Sequence, residues 1–305
     1  MEAIVVIVGF LGAGKTTLLK KLVETAFERD WSPFVILNDY ESASLDAAQL
    51  SHKINPNFLK ALNGSCICCS GISELRESVN RIQARDNGIT FIEANGTTDA
   101  CSLMGFLGVG INLRFLSPIQ LSVVDVKNWQ QRGEHNELEA NQIQVSSIIV
   151  LTHEDKVDEQ RITDVKQHLK TLNPSATILT SDMLNIEMLP EVSPSHNQAD
   201  KLKHHKAHWA SSSTDLPPLP DYMCVKDICE ALPSSILRIK GCTKIANEPH
   251  YTYFERCPDG EVYVRPYKGE PTTGAKLLTI GPGSDKALLE QVITQSLKQS
   301  KLRGL

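Results

Sequence analysis

Apolar and polar residues alternate along this chain in blocks whose lengths predict a mixed fold. Ala3–Val8 is an unbroken apolar run rich in β-branched residues, as a strand buried on both faces requires. A glycine-rich turn follows, and Leu18, Leu19, Leu22, Val23 and Ala26 then recur at helical spacing between Lys15 and Arg29. "PFVILND" predicts a second buried strand, ending at Asn38 and Asp39. The stretch 40–70 reads as polar and loop-like, and "ISELRESVNRIQ" after it as an amphipathic helix. "GITFIEANG", "IQLSVVDV" and "SSIIVLTHED" predict three more strands, and "DVKQHLKTL" a helix leading to the strand "ATILT". Strands that alternate with helices, several with polar residues at their C-terminal ends, predict an α/β fold with a parallel, doubly wound sheet over residues 1–189. Ligands of such sheets sit beyond the carboxyl ends of the strands, where these polar residues fall.

Residues 190–218 change character: Pro, Ser, Asn and His dominate, which reads as a linker. From 222 onward the pattern becomes short strands, "SSILRIKGC", "HYTYFERC", "EVYVRPY" and "KLLTIG". One helix follows, "SDKALLEQVITQSLKQ", with Ser284 as its expected N-cap. Residues 219–305 therefore predict a small C-terminal α+β domain. No internal repeat occurs.

Composition narrows the field. A chain of 305 residues, 41% hydrophobic, suffices for two domains with packed cores. A net charge of −5 argues against nucleic acid as a partner, because such binding rests on excess Lys and Arg meeting phosphates. No apolar run has the length of a membrane span, and "MEAIVVIVGF" carries no basic leader, so a cytoplasmic protein is expected. In that setting the eight cysteines read as reduced thiols, either core residues or metal ligands.

Gly9 to Thr16 fits G-x-x-x-x-G-K-[ST], set between a buried strand and a helix. Such a loop turns backbone N–H groups inward at phosphate oxygens, and the helix N-terminus adds a favourable dipole. Lys15 is expected to reach the β and γ phosphates, and the Thr16 hydroxyl to join a Mg²⁺ shell. These features predict binding of a nucleoside triphosphate. Glu93, at the end of "TFIE", is placed to act near Mg²⁺ or an attacking water; a surface carboxylate at a strand end is the plainer reading. Gly96 can offer a backbone N–H to a γ-phosphate.

The second motif is "NGSCICCSG", with Cys66, Cys68 and Cys69. Thiolates are soft ligands that prefer Zn²⁺, Cu⁺ and similar ions. Cys66 and Cys68 can chelate one ion, with Cys69 as a third ligand and Asp39, Glu41, a His or water as a fourth. Core packing or thiol redox chemistry are the alternatives. Cys101, Cys224, Cys229, Cys242 and Cys257 are dispersed, and Cys224 with Cys229 reads as a structural pair rather than a second metal site.

"GFLGAGKTTLL", "NGSCICC" and "IEANGTTDA" together resemble the CobW family of P-loop GTPases, of the CobW/HypB/UreG class, proposed as metallochaperones. "ILRIKGC" and "LLTIG" resemble that family's C-terminal domain, and "HHKAHW" (His204, His205, His208) its His-rich linkers. The resemblance implies a P-loop NTPase fold and GTP hydrolysis with Mg²⁺. It also implies transfer of zinc, or cobalt or another transition metal, to a client metalloprotein. It assigns catalysis to Lys15 and Glu93 and nucleotide contacts to Gly12, Ala13, Gly14, Lys15, Thr16, Thr17, Gly96, Thr152 and Asp155. Thr16 and Glu93 would hold Mg²⁺; Cys66, Cys68, Cys69, Asp39 and Glu41 would hold the transported metal.

Three family motifs are altered. The switch segment Asn-Glu-Phe-Gly-Glu aligns with Asn38-Asp39-Tyr40-Glu41-Ser42, with Asp46 as the acid that follows. Glu-Thr-[Ser/Thr]-Gly becomes Glu93-Ala94-Asn95-Gly96, keeping the acid and glycine but losing both hydroxyls, while Asp99 matches a later family acid. The guanine-reading Asn-Lys-x-Asp becomes Thr152-His153-Glu154-Asp155, with His153 expected to pack on the base. Asp155, whose carboxylate would accept from guanine N1 and N2, favours GTP over ATP. The alternatives are a nucleotide- and metal-binding regulator with little turnover, or an ATP-using relative.

Overall fold

The computed structural model describes residues 1–38, 58–62, 72–108, 110–194, 211–236, 238–256, 260–267, 269–271, 274–280 and 283–303. These fall into two compact units, one on residues up to 194 and one on residues from 211.

The first unit runs β1 (Ala3–Val8), α1 (Lys15–Glu28), β2 (Ser32–Asn38), β3 (Leu59–Leu62), α2 (Ile72–Asn80), β4 (Gly88–Glu93) and α3 (Ala100–Leu107). It continues with β5 (Ile119–Asp125), α4 (Asn136–Gln144), β6 (Ile148–Thr152), α5 (Glu159–Leu172) and β7 (Thr177–Thr180). The strands form a seven-stranded sheet in the order β3-β2-β4-β1-β5-β6-β7, and each pair is parallel. Here β1 is central: Val5 lies between Phe91 of β4 and Ile119 of β5. Val5 to Val8 are completely buried, and each such side chain stabilises the fold by about 1.5–3 kcal/mol. The apolar stripe of α1 (Leu18, Leu19, Leu22, Val23, Ala26) is buried as its spacing predicts. On the other side of the sheet, Leu75 and Val79 of α2 and Leu103 and Leu107 of α3 join Ile4, Val6 and Ile92 in one core.

Because all these strands are parallel, Val8, Asn38, Glu93, Asp125 and Thr152 end on one edge of the sheet. The expected doubly wound α/β fold is thus present. One local correction applies: Leu59–Leu62, inside the stretch read as loop-like, is an edge strand paired with β2. Its four residues are too few for a periodic signal, and the sheet partner supplies the order.

In the second unit, β8 (Ser211–Asp215), α6 (Tyr222–Ala231), β9 (Arg238–Lys244), β10 (Tyr251–Arg256), β11 (Val262–Tyr267), β12 (Lys276–Ile280) and α7 (Lys286–Arg303) follow in order. The antiparallel sheet runs β11-β10-β9-β12-β8. The stretch expected to open with strands instead opens with the helix α6, N-capped by Asp221, whose carboxylate accepts from the Cys224 N–H. Cys224, Val225, Ile228 and Cys229 line its buried face against Leu289, Val292 and Ile293 of α7. Ser211–Asp215 falls inside the stretch assigned to the linker, yet it forms a sheet edge. At the start of α7 the cap also differs: Asp285, not Ser284, accepts from the Ala287 N–H.

Candidate functional site

The phosphate loop connects β1 to α1. Gly12 and Gly14 have φ of +82° and +95°, a left-handed backbone that side-chain-bearing residues resist, and Gly14 caps α1. Lys15 is buried, and its Nζ donates to the carbonyls of Gly9 (2.9 Å) and Phe10 (3.2 Å) within the loop. Thr16 lies on the first turn of α1, where its Oγ1 donates to Glu93 Oε1 at 2.7 Å. Thr17, next along, is exposed. A lysine, a hydroxyl and a carboxylate from β1–α1 and β4 therefore converge at the carboxyl edge of the sheet.

Gly96 follows Glu93 by three residues and approaches the phosphate loop so closely that a Cβ would meet the Leu11 backbone nitrogen at 2.8 Å. Asn95 shapes this turn by accepting from the Thr97 N–H (2.9 Å) and hydroxyl (3.0 Å). Asp99 caps α3 through the Ser102 N–H (3.0 Å), a bond of about 1 kcal/mol.

The end of β6 faces the other flank of the loop. Thr152 Oγ1 donates to the carbonyls of Ala13 (2.9 Å) and Val124 (3.1 Å), so its hydroxyl braces the phosphate loop against β5. His153 was expected on the base. Its φ of +58° instead turns the ring back, and Nδ1 lies 3.0 Å from Asp125 Oδ1. A buried carboxylate needs donors, and His153 supplies one. Asp155 is exposed, on the short turn Glu154–Lys156.

Sequence reasoning missed what stands behind the loop. Asp125, ending β5, also accepts from Asn128 Nδ2 at 2.8 Å. The Arg132 side chain is buried between Asp125 (3.4 Å) and Glu139 (3.5 Å), with its guanidinium 4.8 Å from the Phe10 ring centre. Burial alone would raise the Asp125 pKa, but the His153 and Asn128 hydrogen bonds and the Arg132 guanidinium hold it below the ordinary carboxylate range. For Glu139 burial wins: its pKa rises to about 7, although Arg132 and the Gln130 N–H oppose the shift. The signal for Asp125 was available, since "SVVD" ends in an acid as "TFIE" does.

A pH dependence follows. The Glu139 pKa is raised in the folded state, so the stability it contributes is full below about pH 4.5 and is lost as pH rises through about 7. Glu139→Gln keeps the neutral form at every pH. Urea unfolding at pH 8 is expected to show the variant about 1–3 kcal/mol more stable than the parent, with the gap closing near pH 4.5. An equal gap at both pH values would contradict this.

Asp39, Tyr40, Glu41, Ser42, Asp46, Cys66, Cys68, Cys69, His204, His205, His208 and Cys257 lie outside the described residues. Among the described residues, no group of three or more His, Cys, Asp or Glu side chains is arranged to hold a metal ion. Cys224, Cys229 and Cys242 are buried free thiols, and burial pushes Cys229 and Cys242 up to about 12, far from the thiolate form that binds metal. No helix among the described residues is long and apolar enough to cross a membrane.

Residues 3–180 match the family model of the CobW/HypB/UreG nucleotide-binding domain. The zinc chaperone YjiA of Escherichia coli (strain K12) is 26% identical over 186 residues, covering 58% of this chain and 57% of that protein. The zinc-regulated GTPase metalloprotein activator 1 of Dictyostelium discoideum is 24% identical over 215 residues, covering 58% of this chain and 45% of that protein. The chain thus spans about half the length of these curated relatives. The crystal structure of Zn(II)-bound YjiA GTPase from E. coli aligns over 96% of this chain and 98% of that one, at 17% identity and a TM-score of 0.40. The family model takes in both the phosphate loop and the Glu93–Gly96 turn, and on that match the chain belongs to the CobW/HypB/UreG family.

Proposed function

We propose that this chain is a P-loop GTPase that couples GTP hydrolysis to passing zinc, or another transition metal, to a client protein. The observation that carries the reading is the 2.7 Å bond between the Thr16 hydroxyl and Glu93, beside the buried ammonium of Lys15. Family membership and the zinc-related names of two relatives support it.

In this reading Lys15 leaves the Gly9 and Phe10 carbonyls for the β and γ phosphate oxygens, which are stronger acceptors because they are charged. A hydroxyl and a carboxylate in contact are a hard-oxygen donor pair suited to Mg²⁺, so Thr16 and Glu93 would hold that ion. Bound Mg²⁺ supplies neutralisation of the charge that develops on the phosphates. The Gly96 N–H faces the γ-phosphate, and Asp155 accepts from guanine N1 and N2. Thr152 acts on the phosphate loop rather than on the base. The metal is cargo, taken by Cys66, Cys68 and Cys69 with Asp39 or Glu41 as the fourth ligand. Nucleotide state would then govern release, because γ-phosphate contacts order the loops around it.

The double variant Cys66→Ser/Cys68→Ser tests the metal half. It is expected to weaken zinc binding by about 100-fold or more and to abolish any zinc effect on turnover, with nucleotide affinity kept. Competition against a chromophoric chelator reads the first and GTP titration the last. Parental zinc affinity in the variant would refute the assignment.

A second reading, a nucleotide- and metal-binding regulator with little turnover, draws on Asn95. It occupies a position where the family carries a hydroxyl, and its side-chain oxygen is committed to Thr97. Single-turnover hydrolysis separates the two.

A further inference from the structure

We propose that Gln142 is a positioning residue: it fixes the Gly96 turn so that the site distinguishes a triphosphate from a diphosphate. The inference rests on the P-loop GTPase reading above and concerns a residue outside its motifs.

Gln142 sits near the end of α4, 1% exposed. Its side-chain amide donates to two carbonyls of one turn, Gly96 (3.2 Å) and Thr98 (3.1 Å). A glutamine amide has two N–H groups, and this turn takes both. The amide oxygen is buried without a hydrogen-bond partner. Exchanging the amide's ends would point that oxygen at two carbonyls, so repulsion fixes the orientation. The Gln142 backbone is anchored in turn: its carbonyl accepts from Gln120 Nε2 (2.5 Å), Ser122 Oγ (2.9 Å) and Ser146 Oγ (3.0 Å). These are buried side chains of β5 and of the turn after α4.

The peptide between Gly96 and Thr97 is therefore held at both ends. Gln142 holds its carbonyl, and the Asn95 side chain accepts from its N–H. Leu11 of the phosphate loop closes on Gly96 from its Cβ side. A polar residue retained in the core at the cost of one unpaired acceptor, and spending its donors on one functional turn, suits precise placement better than general stability. The Gly96 N–H, which the reading above directs at the γ-phosphate, belongs to that turn. A diphosphate does not reach it, so the positioning matters for the triphosphate alone.

Gln142→Leu keeps the side-chain bulk and removes both donors. Titrations of parent and variant with Mg²⁺-GDP and with a non-hydrolysable Mg²⁺-GTP analogue are the test. Affinity for GDP is expected to stay within about threefold, while affinity for the analogue falls about tenfold or more, collapsing the ratio between the two. A merely structural role would weaken both ligands together. Should Gln142→Leu not fold, Asn95→Ala releases the other end of the same peptide and is expected to lower the same ratio. A ratio unchanged in the folded variant would overturn the proposal. A parent that binds neither nucleotide would overturn the GTPase reading itself, and with it this role for Gln142.

Discussion

Lys15→Ala is expected to weaken binding of a GTP analogue by about 100-fold or more while leaving the folded unit intact. Two charge-assisted hydrogen bonds to phosphate, each of about 1.5–3 kcal/mol, account for at least that factor. The protein prepares the interaction: Lys15 is 5% exposed, and two loop carbonyls at 2.9 and 3.2 Å hold its ammonium within the loop. The side chain is thus already ordered in the loop, and exchanging these neutral carbonyls for charged phosphate oxygens strengthens both bonds. Calorimetric titration with the analogue, beside a thermal melt of both proteins, checks the claim. Parental affinity in a folded variant would remove Lys15 from the site.

Gly96→Ala is the second large effect. Gly96 is not among the glycines with positive φ, so its backbone would accept alanine; the obstacle is contact. The added Cβ would lie 2.5 Å from Leu11 Cδ2 and 2.8 Å from the Leu11 nitrogen. Leu11 is completely buried and its nitrogen belongs to the phosphate loop, so loop and turn must separate. Stability is expected to fall by about 1–3 kcal/mol. GTP turnover at saturating substrate is expected to fall about 100-fold, the scale of losing one preorganised donor to the transferred group. Parental turnover would show that the turn does not take part in the reaction.

The parts of this site that could be read in the sequence are those whose geometry is local. Gly14, Lys15 and Thr16 lie at a turn of a few residues between a strand and a helix, so spacing alone nearly determines their placement. Glu93 was visible because a strand-end acid in a parallel sheet must emerge at the ligand edge. What stayed hidden depends on strand order. Gln142 and Gly96 are 46 residues apart and meet because α4 and the turn after β4 flank neighbouring parts of one sheet. The helix α4 itself, "NELEANQIQ", shows no apolar stripe, since Glu139, Asn141 and Gln142 are buried polar residues. His153 could be found but not aimed: its left-handed backbone, which sends the ring to Asp125, has no marker in "LTHED". The α6 error has a different source. Cys224, Val225, Ile228 and Cys229 do repeat at helical spacing, but the β-rich stretch after them drew the whole region toward strands.

The proposed function makes the phosphate loop and the cysteine motif one coupled device. The most direct test is the rate of GTP hydrolysis by the purified protein with Mg²⁺, with and without one equivalent of Zn²⁺, against ATP as control. Slow turnover is expected, selective for GTP and altered when zinc is added. Turnover indifferent to zinc, or equal with ATP, would contradict it.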